Sequence, residues 1–315
     1  MQATLITVHN LSKSYAGKEA VQKLNFNIGQ GEFFGLLGPN GAGKTTTIGM
    51  LTGLIPPSQG TITIGARDVK INPLEAKAKI GFVPQNFAFY PSLSARDNLL
   101  FFGRIHGLRG RQLKTRIDRV LRSVELIERA GDRVSTFSNG MQRRLNIAIG
   151  MLHNPEVLIL DEPTVGVDAH VRQVILENLQ NLNQGGLTIL LTTHHMEEAQ
   201  RLCDRVAIMD KGRIIALNTP SALIGDLGKG VVRICFNQPI PAPLAREMAA
   251  VGEVSLLDPS IAHFLLGDAN ADKIIAAVRS FAKTFKAPIK RLSILEPNLE
   301  AVFLHLTGRP PLTEQ

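Results

Sequence analysis

Residues 38 to 45 read Gly-Pro-Asn-Gly-Ala-Gly-Lys-Thr, and the rest of the chain is interpreted outward from this segment. It follows Phe-Phe-Gly-Leu-Leu at 33 to 37, an apolar run typical of a buried parallel strand. It precedes a predicted helix beginning near Lys44, so the spacing G-x-x-x-x-G-K-[ST] lies between a strand and a helix. Glycines in such a loop let backbone N–H groups turn towards an anion, and the helix N-terminus adds its dipole. The segment predicts a phosphate-binding loop.

An acidic strand end supplies the second half of the predicted site. Val-Leu-Ile-Leu at 157 to 160 indicates another buried strand, and Asp161 and Glu162 follow it directly. Two carboxylates at the end of a buried strand are costly unless a metal ion or a proton justifies them. We expect Lys44 to reach terminal phosphates, Thr45 and Asp161 to hold Mg²⁺, and Glu162 to act as general base on a water. The simpler alternative is that one of the two carboxylates only caps the turn before Pro163.

The overall composition is that of a folded protein with room for two domains. The chain has 315 residues, of which 44% are hydrophobic, so disordered and collagen-like classes are excluded. No uninterrupted apolar run approaches the roughly 20 residues that a bilayer-spanning helix needs, and the first twenty residues do not resemble a secretory signal. Cys203 and Cys235 are isolated, which favours reduced thiols in a cytosolic protein.

The net charge of +8 is concentrated in one part of the chain. Residues 226–315 hold 10 basic and 9 acidic side chains, whereas residues 104–144 hold eleven basic and four acidic ones. We interpret most of these arginines as a solvated face, and the others as contacts to an anionic surface such as lipid head groups. Aromatic residues that would stack on bases are not interleaved with them, so we expect no nucleic acid partner.

Alternating strand and helix patterns predict an α/β fold with a parallel sheet flanked by helices. Helical periodicity dominates residues 92–152, which indicates a helical insert. A glycine-rich stretch near 225–230 is a plausible linker. Beyond it, strands are predicted at 231–236, 253–257, 261–266 and 289–294, and helices at 243–251, 271–285 and from about 299. We therefore predict a first domain over 1–225 and a small α+β accessory domain over 226–315.

Several further motifs, in the right order, resemble the nucleotide-binding subunits of ATP-binding cassette (ABC) transporters. The resemblance covers residues 4–225. Val83-Pro84-Gln85 resembles the family's Q-loop, Gly166-Val167-Asp168 its D-loop and Thr192-Thr193-His194 its switch histidine. Tyr15 matches the aromatic residue that stacks on adenine. The resemblance implies a P-loop NTPase cassette, with a mostly parallel sheet, additional antiparallel strands and the helical insert.

The family's signature, usually Leu-Ser-Gly-Gly-Gln, corresponds here to Phe137-Ser138-Asn139-Gly140-Met141. Ser138 and Gly140 keep the family's residues, whereas Asn139 replaces a glycine and Met141 a glutamine. Because asparagine tolerates left-handed backbone better than most residues, we expect the loop to keep its shape. Ser138 is placed to cap the following helix and to face a γ-phosphate.

The resemblance assigns a role to each candidate residue. Two cassettes are implied to sandwich two ATP molecules, so that the signature residues of one chain meet the ATP held by its mate, in a homodimer or a pair of cassette subunits. Hydrolysis is assigned to Glu162, His194 and Gln85, and Mg²⁺ to Thr45, Gln85 and Asp161. The ATP-binding residues are Tyr15, Gly38, Pro39, Asn40, Gly41, Ala42, Gly43, Lys44, Thr45, Thr46, Ser138, Gly140 and Asp168.

The end of the chain resembles one branch of the family. Leu295 to Phe303, followed by Leu306-Thr307-Gly308, is similar to the branch containing daunorubicin-type drug exporters and exporters of cell-surface polysaccharides. We therefore expect an ATPase that powers export through a separate transmembrane permease, bound peripherally at the cytoplasmic face of the inner membrane. The alternative is a soluble cassette ATPase acting on DNA, ribosomes or iron-sulfur assembly, although coiled-coil heptads and paired C-x-x-C motifs are missing.

Overall fold

The structure is a computed structural model that describes residues 3–266 and 271–308. Its contacts group the chain into two compact units. The larger unit comprises Met1–Thr193 and Leu202–Ile214, and the smaller unit comprises His194–Arg201 and Ile215–Gln315.

Two sheets form the framework of the larger unit. The strands of these sheets are β1 (Thr4–Tyr15), β2 (Lys18–Gly29), β3 (Phe33–Leu37), β4 (Gln59–Ile64), β5 (Arg67–Asp68), β6 (Ile80–Val83), β7 (Val157–Asp161), β8 (Thr188–Thr193), β9 (Arg205–Asp210) and β10 (Arg213–Asn218). Of β10, only Arg213 and Ile214 belong to the larger unit. One sheet is antiparallel, in the order β2-β1-β4-β5, and the other has the order β10-β9-β3-β8-β7-β6. In the second sheet β9, β3, β8, β7 and β6 pair in parallel, so the predicted fold class is confirmed.

The central strands were predicted because their apolar runs are continuous. Every residue of β3, β7 and β8 is buried, as expected for parallel strands covered on both faces. The long strand β2 was not predicted, because the pairing of β1 with β2 shifts register between Val8 and Leu11 and again between Leu11 and Lys13. Such bulges interrupt the alternation of apolar and polar residues that identifies a strand.

Six of the next seven helices lie in the larger unit, and the helix over Met196–Leu202 belongs to the smaller unit except for Leu202. The seven helices are α1 (Lys44–Leu51), α2 (Pro73–Ala78), α3 (Ala95–Ile105), α4 (Gly110–Ser123), α5 (Asn139–Met151), α6 (Ala169–Gln184) and α7 (Met196–Leu202). The helical insert contains α3, α4 and α5. On α4, Arg111, Arg119 and Arg122 are exposed opposite a buried apolar face, whereas Arg116 donates to the Leu152 carbonyl. Within residues 3–266 and 271–308, no helix is long and apolar enough to span a bilayer.

The smaller unit has its own antiparallel sheet and its own apolar core. Its elements are α8 (Pro220–Gly225), β11 (Val231–Phe236), α9 (Ala242–Val251), β12 (Val254–Asp258), β13 (Ile261–Leu265), α10 (Ala271–Thr284), β14 (Ile289–Leu295) and α11 (Leu299–Thr307), and the strand order is β12-β13-β11-β14. Ile234, Phe264, Leu244 and Val278 belong to a core of buried side chains from β11, β13, α9 and α10. From β11 onward, the strands and helices lie within one residue of the predicted bounds, because period-two and helical patterns alternate cleanly here, whereas α8 was not predicted.

Candidate active site

The predicted phosphate-binding loop connects β3 to α1. Gly43 caps α1 with a φ of 104°, and a Cβ at this position would lie 2.7 Å from the Ala20 carbonyl oxygen. A Cβ on Gly38 would lie 2.4 Å from the Met209 carbonyl oxygen. Both positions therefore require glycine, and the loop can fold closely over the end of α1 where a helix offers its first N–H groups to an anion.

The remaining loop residues divide into exposed and buried positions. Asn40 and Gly41 are exposed, whereas Ala42 is buried. Thr45 and Thr46 lie in the first turn of α1, and the Thr45 side chain is exposed. The hydroxyl of Thr45 is therefore open to a ligand at the end of this helix.

Lys44 is the buried cation of the site. Its side chain is only 4% exposed, and its ammonium group donates to the carbonyl oxygens of Gly38 at 2.8 Å and Pro39 at 3.2 Å. The same Nζ lies 3.1 Å from Oε1 of Glu162, which is also buried. A buried ion pair of this kind is held in place because either charge alone would be costly to bury. The pair joins the phosphate-binding loop to the acidic strand end.

Asp161 and Glu162 are buried at the end of β7. The Thr192 hydroxyl on the neighbouring β8 donates to Oδ1 of Asp161 at 2.7 Å. The Glu162 N–H donates to the Thr192 carbonyl oxygen at 3.1 Å and also lies 3.1 Å from the Thr192 hydroxyl. Glu162 has a φ of 47°, a strained value for a residue with a side chain and one that concentrates at functional sites.

Thr192 was not identified as a site residue from the sequence. It was quoted only as part of the segment leading to His194, because a threonine in a buried strand has no distinctive spacing. Its register opposite Asp161 could have been inferred by pairing the two apolar runs, which end in Leu160 and Leu191. Thr192 orients both carboxylate positions, through its hydroxyl for Asp161 and through its carbonyl for Glu162.

The donor set expected for Mg²⁺ consists of oxygen atoms from Thr45, Asp161 and Gln85. These are the ligands that Mg²⁺ prefers, and it usually combines one or two protein carboxylates with waters and substrate phosphates. The part of the chain that the structure describes contains no group of three or more His, Cys, Asp and Glu side chains placed to hold a metal. A site with one carboxylate and one hydroxyl therefore suits an ion that arrives with a nucleotide.

The signature residues surround the start of α5. Ser138 is the N-cap, and its hydroxyl accepts from the Met141 N–H at 3.3 Å, as the sequence predicts. A Cβ on Gly140 would lie 2.2 Å from Cγ1 of Val171, so glycine permits close packing of α5 on α6. The reason given for tolerating Asn139 was wrong, because Asn139 is the first helical residue of α5 and is not among the residues with positive φ.

The signature residues and the phosphate-loop residues have different partners. Ser138 contacts Met141 of α5 and Gly140 packs against Val171 of α6, whereas Lys44 and Glu162 contact each other. The Ser138 side chain is exposed beside the helix N-terminus. Its hydroxyl and the first N–H groups of α5 are therefore accessible to a group that comes from outside the chain.

Four other candidate residues lie at the ends of strands and helices. Tyr15 is the last residue of β1; its ring is 46% exposed and lies 5.1 Å from the Lys13 ammonium. Gln85 is exposed after β6. Asp168 caps α6 by accepting from the Val171 N–H at 2.9 Å. His194 follows β8 in the chain, and its buried imidazole lies 4.3 Å from that of His195.

Comparison with known proteins is consistent with this arrangement. The sequence model of the family described as ABC transporter matches residues 21–165. The chain is 41% identical over 314 residues to the linearmycin resistance ATP-binding protein of Bacillus subtilis, covering 97% of this chain and 99% of that protein. It is 41% identical over 310 residues to the Nod factor export ATP-binding protein I of Sinorhizobium fredii, covering 96% and 86%.

The fold is also similar to that of solved structures. One is a dimeric ATP-binding cassette in a post-hydrolysis state, bound to ADP and phosphate. The TM-score is 0.61 at 28% sequence identity, and the match covers 68% of this chain and 98% of the other.

Proposed function

Because this chain belongs to the ABC transporter family, as its ATP-binding and ATP-hydrolysing subunit, we propose that it powers export through a separate transmembrane subunit. The observation that carries this proposal is the extent of the likeness. Relatives named for export and for resistance match about 96–97% of the chain, including the smaller unit. Those names do not support the alternative of a soluble cassette acting on DNA, ribosomes or iron-sulfur assembly.

The chemistry assigned to the phosphate-binding loop and to the acidic strand end is hydrolysis of the terminal phosphate of ATP. The Lys44 ammonium contacts the loop carbonyls and Glu162, and it would move to the β- and γ-phosphates when ATP binds. Glu162 would then be available to accept a proton from water. His194 would hold the γ-phosphate and the attacking water in line. Tyr15 offers an exposed ring on which adenine can stack. When bound, Mg²⁺ would neutralise charge that develops on the phosphates.

We assign Thr45, Asp161 and Gln85 to hold this ion. The Asp161 carboxylate is already oriented by the hydrogen bond from Thr192, so little reorganisation is needed when the nucleotide arrives. The Thr45 hydroxyl is exposed at the start of α1, and Gln85 is exposed at the start of its loop.

Two copies of the cassette, or this chain and a paired cassette subunit, would enclose the nucleotides between them. The exposed Ser138 at the N-terminus of α5 supports this arrangement, because it offers a hydroxyl and N–H groups to a γ-phosphate bound by the other chain. The similar solved cassette is itself dimeric. Binding of ATP would therefore favour the closed dimer, and hydrolysis would release it.

An aromatic patch beside Gln85 supports docking to the transmembrane subunit. The patch consists of Phe87, Phe89, Tyr90, Phe101 and Phe102. Phe87, Tyr90 and Phe101 are 38%, 46% and 40% exposed. Phe87 stacks on Phe89 at 5.1 Å, whereas Phe101 meets Tyr90 and Phe102 edge to face at 5.0 and 5.2 Å. Exposed aromatic groups of this kind mark protein interfaces. Docking here would place the chain peripherally at the cytoplasmic face of the membrane.

Purification of the tagged chain from its native membrane in mild detergent tests the transport assignment. We expect a polytopic membrane protein to co-purify with the wild type and to be lost from Phe101→Asp. Leu54→Asp changes an exposed apolar residue elsewhere in the larger unit and serves as the matched control. Co-purification of ribosomes or DNA, or of no partner, would contradict the proposal.

A further inference from the structure

One arginine of the signature helix contacts two loops that lie far from it in the sequence. Arg143 is buried on α5. Its Nη1 donates to the carbonyl oxygen of Gln85, and its Nη2 donates to that of Val165 at 3.1 Å. The guanidinium also lies 4.7 Å from the centroid of the Phe87 ring. Arg143 thus joins the segment after β6 to the segment that runs from Glu162 towards Asp168.

A second buried side chain on the same face of α5 completes the contact. Asn146, one helical turn after Arg143, donates from Nδ2 to the Pro84 carbonyl oxygen at 3.2 Å. Its Oδ1 accepts from the Ala88 N–H at 3.3 Å. The backbone at both ends of the segment 84–88 is therefore held by Asn146, and its centre is held by Arg143.

The burial of Arg143 makes its two carbonyl contacts depend on each other. Arg143 is only 7% exposed, so its charged form has lost most of its contact with water, and this burial lowers the pKa of the guanidinium. A buried cation must be solvated by protein groups, and here two carbonyl oxygens and a ring provide that solvation. If either loop moved alone, the cation would lose part of this solvation, so concerted movement is favoured.

We propose that Arg143 is a positioning residue that couples the position of Gln85 to that of the loop following Glu162. The proposal rests on the function proposed above for those two residues. A signal from the membrane subunit that displaces Gln85 would reach the catalytic loop through this side chain, without passing through the nucleotide. Lysine is a poor replacement here, because it lacks the planar fork whose two separate nitrogens contact the carbonyl oxygens of Gln85 and Val165 while the guanidinium lies over the Phe87 ring.

The adjacent arginine provides a matched control. Arg144 lies on the same helix and has the same charge, but it donates to the Val124 carbonyl at 3.2 Å and to Oε2 of Glu125 at 3.3 Å, within the helical insert. Arg143→Lys and Arg144→Lys therefore make the same chemical change on α5 and differ in which segments lose a contact.

The test combines steady-state ATP hydrolysis with amide hydrogen exchange on the full chain. We expect Arg143→Lys to lower kcat about tenfold while KM for ATP changes less than threefold, because Arg143 is not among the residues assigned to ATP binding. Exchange should accelerate in both 84–88 and 163–168, by a similar factor. Arg144→Lys should leave kcat, KM and both exchange rates within twofold of wild type.

Two results would overturn the coupling. One is a kcat of Arg143→Lys within twofold of wild type, and the other is acceleration in only one of the two segments. Glu162→Gln, measured in parallel, separates the two proposals. If Glu162→Gln abolishes turnover and Arg143→Lys does not lower it, only the coupling fails; if Glu162→Gln turns over ATP normally, the proposed function fails and the coupling with it.

Discussion

In the larger unit, the buried charges Lys44, Asp161 and Glu162 gather where parallel strands end, whereas the core of the smaller unit consists of apolar side chains such as Ile234 and Phe264. Buried charges are costly to fold, and they persist where a ligand or a reaction needs them. Apolar burial stabilises a fold and carries no such chemistry. Substitution of these buried charges in the larger unit should therefore change turnover, whereas substitution of the apolar core in the smaller unit should change stability.

The largest effect is expected from Lys44→Ala. Removal of this ammonium leaves phosphate charge without its main counterion, and it leaves Glu162 buried without the partner seen at 3.1 Å. We expect ATP hydrolysis to fall by at least about 10²–10³-fold, the range for loss of one electrostatic contact to the transition state.

The control for Lys44→Ala is Lys70→Ala, which removes an exposed lysine from the same unit. Its turnover should equal that of wild type. If Lys44→Ala turned over ATP within tenfold of wild type, the claim that the buried charges of the larger unit are needed for turnover would be wrong.

Phe264→Ala should lower the stability of the protein and leave its turnover nearly unchanged. Phe264 is fully buried between β11, α9 and α10, and truncation of a buried phenylalanine costs about 3–5 kcal/mol. We expect a loss of this size in the free energy of unfolding by urea, with kcat per folded molecule within threefold of wild type. Ile294→Ala, at a 54% exposed position of β14, should cost less than about 1 kcal/mol.

Acid should weaken the smaller unit through His263. Burial, together with nearby Arg233 and His305, lowers the pKa of His263 to about 4, although Asp258 opposes the shift. An unfolded histidine has a pKa near 6.5, so the unfolded chain binds more protons between these values and stability falls as the pH falls. Between pH 7 and pH 5 the free energy of unfolding should drop by about 2 kcal/mol from this residue.

Substitution of His263 separates this effect from other acid effects. His263→Gln should remove about 2 kcal/mol from the drop in the free energy of unfolding between pH 7 and pH 5. His170→Gln, at an exposed position of α6, should not. Burial and the neighbouring His106 lower the pKa of His153 in the larger unit to about 4 as well. Acid therefore weakens both units, and an unchanged pH dependence in His263→Gln would show that His263 does not contribute.

The smallest effect is expected from Asn139→Gly, which restores the residue usual in the family's signature. Asn139 is exposed at the first position of α5, where glycine costs only a fraction of 1 kcal/mol and leaves the N–H groups in place. ATP hydrolysis should be unchanged or higher. A collapse of turnover in this variant would show that asparagine is specifically required.

The sequence predicted the bounds of β3 and β11 because each is a short run of strand-forming residues between turn residues. It did not predict β2 or β6, since bulges break the alternation in one and the other has only four residues. Residues with a distinctive type and spacing, such as Lys44 and Glu162, could be identified as site residues without a structure.

Residues whose contacts lie far away in the sequence could not be identified in this way. Arg143 and Gln85 are 58 positions apart, and Thr192 and Asp161 are 31 apart. Their partners depend on strand register and helix packing, which local sequence does not reveal. Asn139 was judged as a loop residue from the family's signature, although the predicted cap at Ser138 already makes Asn139 the first helical residue of α5.

The central claim is that the buried carboxylate of Glu162 activates the water that attacks ATP. It is tested most directly by measuring ATP binding, turnover and oligomeric state of Glu162→Gln in the presence of ATP. We expect unchanged binding, a loss of turnover of at least about 100-fold, and a stable dimer that wild type does not accumulate. Wild-type turnover by a Glu162→Gln protein that stays monomeric with ATP would contradict the account.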